Sequence, residues 1–513
     1  MSYTTDMLRL RRLATAAALA ALLLASGKKE AGVDSGNAPL CIYQVMTPTF
    51  IDGDSSIGYQ TAWGPEEETG GDLQGVMDSL DYIKSLGCNA VWLTPVFDSS
   101  GANSDSESGY SGRLDSTGYY TKDYFHIDPH FGSEETFRKL VDCCHEAGLY
   151  VILDGVFGHW GDFVEPSPSG RLPSREHGKF HGASFPESLE FFQEVAAYWI
   201  REYKIDGWRL DQCYQLGTDG EGVHDGRNYW YDIRLAVEAV CRENRSEGSR
   251  WGTLGYLVGE CWKDTAREIR SSVVDPGTAE GYGLASCFDF PSRGYISRIM
   301  TKDGTNAGGL LNYVFSDAES KGYPGFYKPN LFLDNHDLDR LGTSITEAYP
   351  AQRPDGEESS TYYAKHALAL AILAAYSGPV TVYYGDEWGA WLDPARIGSF
   401  PCYRDNSSRT AGKQEGFSDR EQELLDYVSS LLNARKNTPV LYEGKNETLL
   451  ASKELYIGKK TLGKTELVYL LNCSASPQIY TLEKGGKDII SGRKVGKTGT
   501  LAPWSALFIR VKG

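Results

Sequence analysis

Tyr198-Trp199-Ile200-Arg201-Glu202-Tyr203-Lys204-Ile205-Asp206-Gly207-Trp208-Arg209-Leu210-Asp211 decides the fold. Its first part ends a helix that the sequence predicts from Glu187 to Tyr203. Its second part, Ile205 to Leu210, is a short apolar run that reads as a buried parallel strand. Asp211 stands where that strand gives way to a loop. Two other strand-like runs end the same way: Tyr256-Leu257-Val258-Gly259 before Glu260, and Phe332-Leu333-Asp334-Asn335-His336 before Asp337. If these strands belong to one barrel, the three acids converge on one face.

Working outward, strands and helices alternate from Cys41. Cys41–Met46, Ala90–Leu93, Leu149–Val156, Ile205–Leu210, Tyr256–Gly259, Ser286–Phe290, Asn330–Leu333 and Val380–Tyr384 read as eight strands. Between them, Leu73 to Leu86 carries a helical apolar face ended by Gly87. Ser133 can cap a helix with Glu134 and Glu135 in its first turn and Gly148 at its end. This alternation predicts an α/β fold: a (β/α)8 TIM barrel rather than a doubly wound sheet. Asp154, His159, Asp211, Glu260, His336 and Asp337 all fall at or just after the C-terminal ends of strands, the face that holds the site in such barrels. The stretch 160–186 has little periodicity and reads as a short inserted loop subdomain after the third strand. The barrel is predicted over 40–437. Short alternating runs with Gly and Lys turns over 438–513 predict a C-terminal β-sandwich domain.

The chain has 513 residues and a formal charge of −18, which excludes a phosphate-binding surface and so nucleic acid. Its 32 Tyr and 11 Trp can stack on sugar faces, although most such rings fill cores. Residues 1–27 read as a bacterial export signal: Arg9, Arg11 and Arg12, then an Ala/Leu run to Leu24, then small residues. The expected location is therefore periplasmic, extracellular or cell-surface. Leu24-Ala25-Ser26-Gly27-Lys28-Lys29 resembles a lipoprotein signal with Gly27 where the lipidated Cys belongs. Residues 28–39 read as a linker, and no later run is long and apolar enough to span a bilayer. The ten Cys, from Cys41 to Cys473, form no CxxC pair, so a zinc site is not expected.

Four ordered blocks carry a resemblance to the α-amylase family of retaining glycoside hydrolases. They are Asp154-Gly155-Val156-Phe157-Gly158-His159, Gly207-Trp208-Arg209-Leu210-Asp211, Val258-Gly259-Glu260 and Phe332-Leu333-Asp334-Asn335-His336-Asp337. Gly70-Gly71-Asp72-Leu73-Gln74-Gly75 and the stretch from Asp123 to Gly132 are similar to the neopullulanase and cyclomaltodextrinase branch. The resemblance implies Asp211 as nucleophile, Glu260 as acid/base and Asp337 as stabiliser of an oxocarbenium-like transition state. It implies substrate contacts from Tyr119, Asp154, His159, Arg209, His336 and Arg340. Arg209, two residues before Asp211 on one strand face, is expected to keep the nucleophile ionised. Carboxylates around Glu260 are expected to raise its pKa.

The implied activity is hydrolysis of α-1,4 links in maltooligosaccharides, cyclodextrins or related α-glucans. A transglycosylase on the same machinery is the alternative. An inactive binding protein would be expected to have lost the acids, and all three are present. The chain also departs from the family. Gly158 replaces an Asn that binds calcium in many members, and Tyr214-Gln215 replaces Lys and His. A second calcium loop is implied at Asp52, Asp54, Gly70 and Asp72, where carboxylates and a carbonyl suit the ion. Two further ligand positions of that loop are Ile57 and Gly58, and an acidic Gly-rich turn explains the same residues. No organic cofactor is expected.

Overall fold

A computed structural model describes residues 40–59, 61–64, 67–99, 117–161, 163–177, 181–216, 222–274, 281–397 and 407–511. The predicted export signal, the predicted linker and Cys402 lie outside the described residues.

Six strands form one parallel sheet: β1 Cys41–Val45, β2 Ala90–Leu93, β3 Tyr150–Gly155, β4 Gly207–Leu210, β5 Tyr256–Gly259 and β6 Val380–Tyr383. Their spatial order is β5-β4-β3-β2-β1-β6. Single parallel bridges close the gap: Gly259 to Cys287, Phe288 to Asn330, and Leu331 to Val380. The ring therefore has eight positions and no free edge. The sixth and seventh predicted strands are shorter than expected, each reduced to these bridge residues.

Side chains alternate across each strand, so the inward set can be read from the register. Ile42, Ala90, Trp92, Ile152, Tyr256, Val258, Phe288 and Phe332 pack together with Leu40 as the barrel interior. One step nearer the C-terminal end, the inward positions become Gln44, Asp154, Arg209 and Glu260. The apolar lower layers exclude water beneath this polar layer, which strengthens every charge interaction in it. Arg209 lies in register with Asp154 on β3 and Val258 on β5.

Ser133 caps the helix Glu134–Ala147 by accepting from the Thr136 N–H, and Gly148 ends it at φ 80°. The predicted helix from Leu73 to Leu86 is instead two helices, Leu73–Asp78 and Leu80–Ser85. Ser79 separates them and donates its hydroxyl to the Gly75 carbonyl, a competitor to the helical bond.

In the loop after β3, Arg175–His177 pairs with His181–Ala183. Ala183 N–H donates to the Gly158 carbonyl at 2.7 Å, tying the loop back to the rim. Beyond the helix Asp419–Lys436, an antiparallel sheet orders Lys445–Ala451, Leu455–Leu462, Thr465–Asn472, Ser505–Val511, Gly486–Asp488 and Lys494–Val495. A second pair, Gln478–Thr481 with Thr498–Leu501, packs on it through Tyr480 and Leu501 against Ile457, Leu470 and Ile509. Nine described cysteines are free thiols. No helix among the described residues is long and apolar enough to cross a membrane.

Candidate active site

Arg209 organises the C-terminal mouth of the barrel. Its guanidinium is fully buried. Nη1 donates to Asp154 Oδ1 and to Asp211 Oδ1, both at 2.8 Å, and Nη2 donates to Glu260 Oε1 at 2.6 Å. Bonds to two nitrogens of one guanidinium hold Asp211 and Glu260 on the same cation. Asp154 spends its other oxygen on Tyr119 Oη, at 2.8 Å, and Trp92 Nε1, at 3.2 Å. Its bond to Arg209 positions that guanidinium.

The second carboxylate oxygen of Asp211 is different. Oδ2 is buried and has no hydrogen-bond partner among the described residues. His159 Nδ1 stands 3.7 Å away, beyond hydrogen-bond distance. One oxygen of Asp211 is thus held and the other left available for attack. Both oxygens of Glu260 are held, the second by the Gln212 N–H at 3.0 Å. Gln212 adopts φ 37°, a left-handed conformation that few non-glycine residues take, and this turn aims its N–H at Glu260.

Asp337 completes the acids. His336 Nε2 lies 3.0 Å from its Oδ2, and Arg409 Nη2 donates to its Oδ1 at 2.9 Å. His336 is fixed in turn by Gln44 Nε2 at its Nδ1, 2.8 Å away, and by Tyr119 Oη at its Nε2, 2.6 Å away. With Gln44 donating as placed, the His336 proton sits on Nε2, between Tyr119 Oη and Asp337 Oδ2. The Tyr119 ring stacks on His336 at 5.2 Å.

Arg209 pulls Asp211 toward its ionised form, as expected, but burial outweighs that pull. Burial drives the Asp211 carboxyl up to about 7, against the pull of Arg209 and with the push of Asp154 and Asp337. Burial likewise drives Glu260 up to about 7, opposed by Arg209 and reinforced by Asp211 and Asp337. Asp154 rises to about 6, mainly through burial. One guanidinium is shared by three carboxylates, so it does not single out Asp211 as the ionised group. The cluster titrates as a unit that holds a proton near neutrality. Asp337 goes the other way: burial raises it, but His336, Arg409 and Arg209 together hold it well below the usual range.

The roles expected of the two acids need Asp211 ionised and Glu260 protonated. The profile of kcat/KM against pH is therefore expected to be a narrow bell centred within about a unit of pH 7. A plateau reaching below pH 5 would contradict this. The stability sign differs between the groups. The three raised carboxyls contribute fully below their unfolded values, near about pH 4, and lose that contribution as pH rises through about 6 to 7. Asp337 contributes above its unfolded value and loses its contribution as pH falls.

Arg340 is not in this cluster. It is buried behind the rim, donates Nη1 to the Tyr384 carbonyl at 2.7 Å and stacks over Tyr383 and Tyr384. The chain enters the helix Leu341–Ala348 at this residue, which turns it away from Asp337. Arg409, from the segment after β6, occupies the place expected of it.

The implied calcium loop folds as a turn built on Asp72. Asp72 is buried and accepts three backbone N–H groups: Gly75 on Oδ1, and Gly53 and Asp54 on Oδ2. It caps a helix and clamps the turn. Asp54 Oδ1 is taken by Ser56, while burial and the neighbouring Asp72 and Asp54 push Asp52 up. Among the described residues no group of three or more His, Cys, Asp or Glu is placed to hold a metal ion. Ile57 and Gly58 offer no side-chain oxygens, so an ion here would rest on Asp52, Asp54, the Gly70 carbonyl and Asp72. At the family's other calcium position, a Cβ on Gly158 would lie 3.2 Å from Gln215 Oε1. The two departures pack against each other, Gln215 filling space that Gly158 leaves.

Gln44, Trp92, Arg409 and the Gln212 N–H were not found by sequence reasoning. Neither was Trp262, two residues past Glu260, 42% exposed and paired with Phe290 at 5.0 Å.

Comparison with known proteins places this geometry. The model of the alpha-amylase catalytic domain matches residues 44–171 and 186–430. A cyclomaltodextrinase of Geobacillus thermopakistaniensis is 28% identical over 473 residues, spanning 84% of this chain and 68% of that protein. Neopullulanase 2 of Thermoactinomyces vulgaris is 27% identical over 527 residues, spanning 91% and 77%. The crystal structure of AmyP in complex with maltose is 35% identical with a TM-score of 0.79, covering 94% of this chain and 98% of that one.

Proposed function

The chain belongs to the α-amylase family, and on that premise we propose that it hydrolyses α-1,4-glucosidic bonds of maltooligosaccharides, cyclodextrins or related α-glucans with retention. The observation that carries the reading is the unequal treatment of two acids on one guanidinium. Asp211 is held by one oxygen with the other unpartnered among the described residues, and Glu260 is held by both.

The Asp211 Oδ2 atom attacks the anomeric carbon as Glu260 gives its proton to the departing oxygen. Asp337, kept ionised, faces the positive charge that develops on the sugar ring. The glycosyl ester on Asp211 is then cleaved by water, which Glu260 deprotonates. Trp262 and Phe290, on the Glu260 side, offer an aromatic face to the leaving sugar. The names of the relatives and the maltose bound by AmyP support an α-glucan substrate.

Product analysis on maltoheptaose, cyclodextrin and pullulan tests the reading. Short maltooligosaccharides released first as α-anomers are expected. β-Anomers, or no cleavage of any of the three, would contradict it. Longer products at high substrate concentration would assign transfer instead. The reading of residues 1–27 adds that the enzyme is exported and, with Gly27 lacking a thiol, not acylated there. Mass spectrometry of the mature N-terminus tests this: an unlipidated start near Lys28 supports it, and a retained leader overturns it.

A further inference from the structure

We propose that Arg409 is a positioning residue for Asp337, fixing the plane of that carboxylate as the glycosidic bond breaks. The inference deepens the proposed function and rests on it.

The segment 407–412 lies across the rim and is pinned almost residue by residue. Ser407 Oγ donates to Asp339 Oδ1 at 2.9 Å. The Ser408 carbonyl accepts from Tyr383 Oη at 3.0 Å, and the Thr410 carbonyl from Tyr384 Oη at 2.6 Å. The Gly412 N–H reaches the Thr49 and Phe50 carbonyls, both at 3.0 Å. Arg409 is the member of this strap whose side chain meets the acids. Nε donates to the His336 carbonyl at 2.8 Å and Nη2 to Asp337 Oδ1 at 2.9 Å. These two bonds grip the backbone before Asp337 and the carboxylate itself. His336 Nε2 lies 3.0 Å from the opposite oxygen, Oδ2. Arg409 is therefore the side-chain donor that fixes Oδ1, while the Asp337 side chain stays 26% exposed.

Charge decides how this arrangement helps. The groups that face Asp337 are His336 on its own segment, Arg209 on β4, Arg409 on the strap, the carboxylates Asp211 and Glu260, and the Tyr119 phenol. A cation beside a developing oxocarbenium charge is unfavourable by itself. The benefit of Arg409 therefore comes through Asp337, as a carboxylate oriented before the reaction and kept ionised. An interaction of that kind is realised in the transition state and appears in kcat rather than KM.

Two variants in two backgrounds test the proposal. Arg409→Gln is expected to lower kcat about tenfold or more with KM within about threefold of wild type. Arg409→Lys, which keeps the charge, is expected to recover much of the loss. In an Asp337→Asn background, measured with an activated aryl α-glucoside, the same Arg409→Gln change should cost less than about twofold, because the group it acts through is gone.

Equal losses in both backgrounds would overturn the proposal. So would a raised KM and lowered melting temperature without a kcat effect, which would make Arg409 only a clip for the strap. If Arg409→Gln does not fold, the comparison is made in the same two backgrounds with Arg409→Met, which keeps the side-chain bulk and removes both donors. Inactivity of the wild-type enzyme on every α-glucan would refute the function and leave this inference without a reaction to act on, an outcome distinct from an active enzyme indifferent to Arg409.

Discussion

Asp211→Asn is expected to lower turnover at least about a thousandfold while the protein still folds. An amide nitrogen in place of Oδ2 cannot form the glycosyl ester, so double displacement has no first step. Folding should survive because Asn can keep the Oδ1 contact to Arg209 and loses only an atom that has no partner among the described residues. Removing one of three negative charges around Arg209 also relieves the repulsion that raises Glu260. A variant with normal melting behaviour and more than about a tenth of wild-type activity would remove Asp211 from the nucleophile's role.

Arg209→Met should be worse for the fold than for any single step. Three buried carboxylates, Asp154, Asp211 and Glu260, would lose their shared cation together. Breaking a buried ion pair by removing one partner costs about 3–5 kcal/mol. Here the cost depends on pH. The orphaned carboxyls can take up protons at low pH and need no cation, whereas at high pH their charges stay buried and unpaired. The drop in melting temperature relative to wild type should therefore be larger at pH 8 than at pH 5, with activity lost at both. Equal drops at the two values would show that Arg209 acts by packing on Trp92 and Tyr119 rather than by charge.

The barrel was legible in the sequence because its six long strands are apolar runs that end abruptly at polar residues. Ala90–Leu93 and Tyr256–Gly259 have the predicted bounds, and the others differ by one or two residues. The sixth and seventh strands were harder. An apolar run such as Ser286–Phe290 looks the same whether it makes a long ladder or the two bridges at Cys287 and Phe288. The break at Ser79 depends on one hydroxyl competing for a backbone carbonyl, which the apolar periodicity of that helix hides.

In the site, the three acids were legible as acids at strand ends. Gln44 was a readable signal that went unused, a polar residue at an inward position of a buried strand. Arg340 and Arg409 show where sequence distance misleads. Arg340 is three residues from Asp337, yet the chain turns into a helix there. Arg409 is 72 residues away and bonds it. The sharing of one guanidinium by three carboxylates is a property of barrel register, with Arg209 beside Asp154 across the strands, and no single strand displays it.

Trapping the covalent intermediate tests the central claim most directly. A slow-turnover fluorinated α-glucosyl fluoride should inactivate the enzyme and leave a hexosyl ester, found by mass spectrometry on the peptide that carries Asp211. An adduct on Glu260 or Asp337, or inactivation without any adduct while β-anomers are released from maltooligosaccharides, would contradict it.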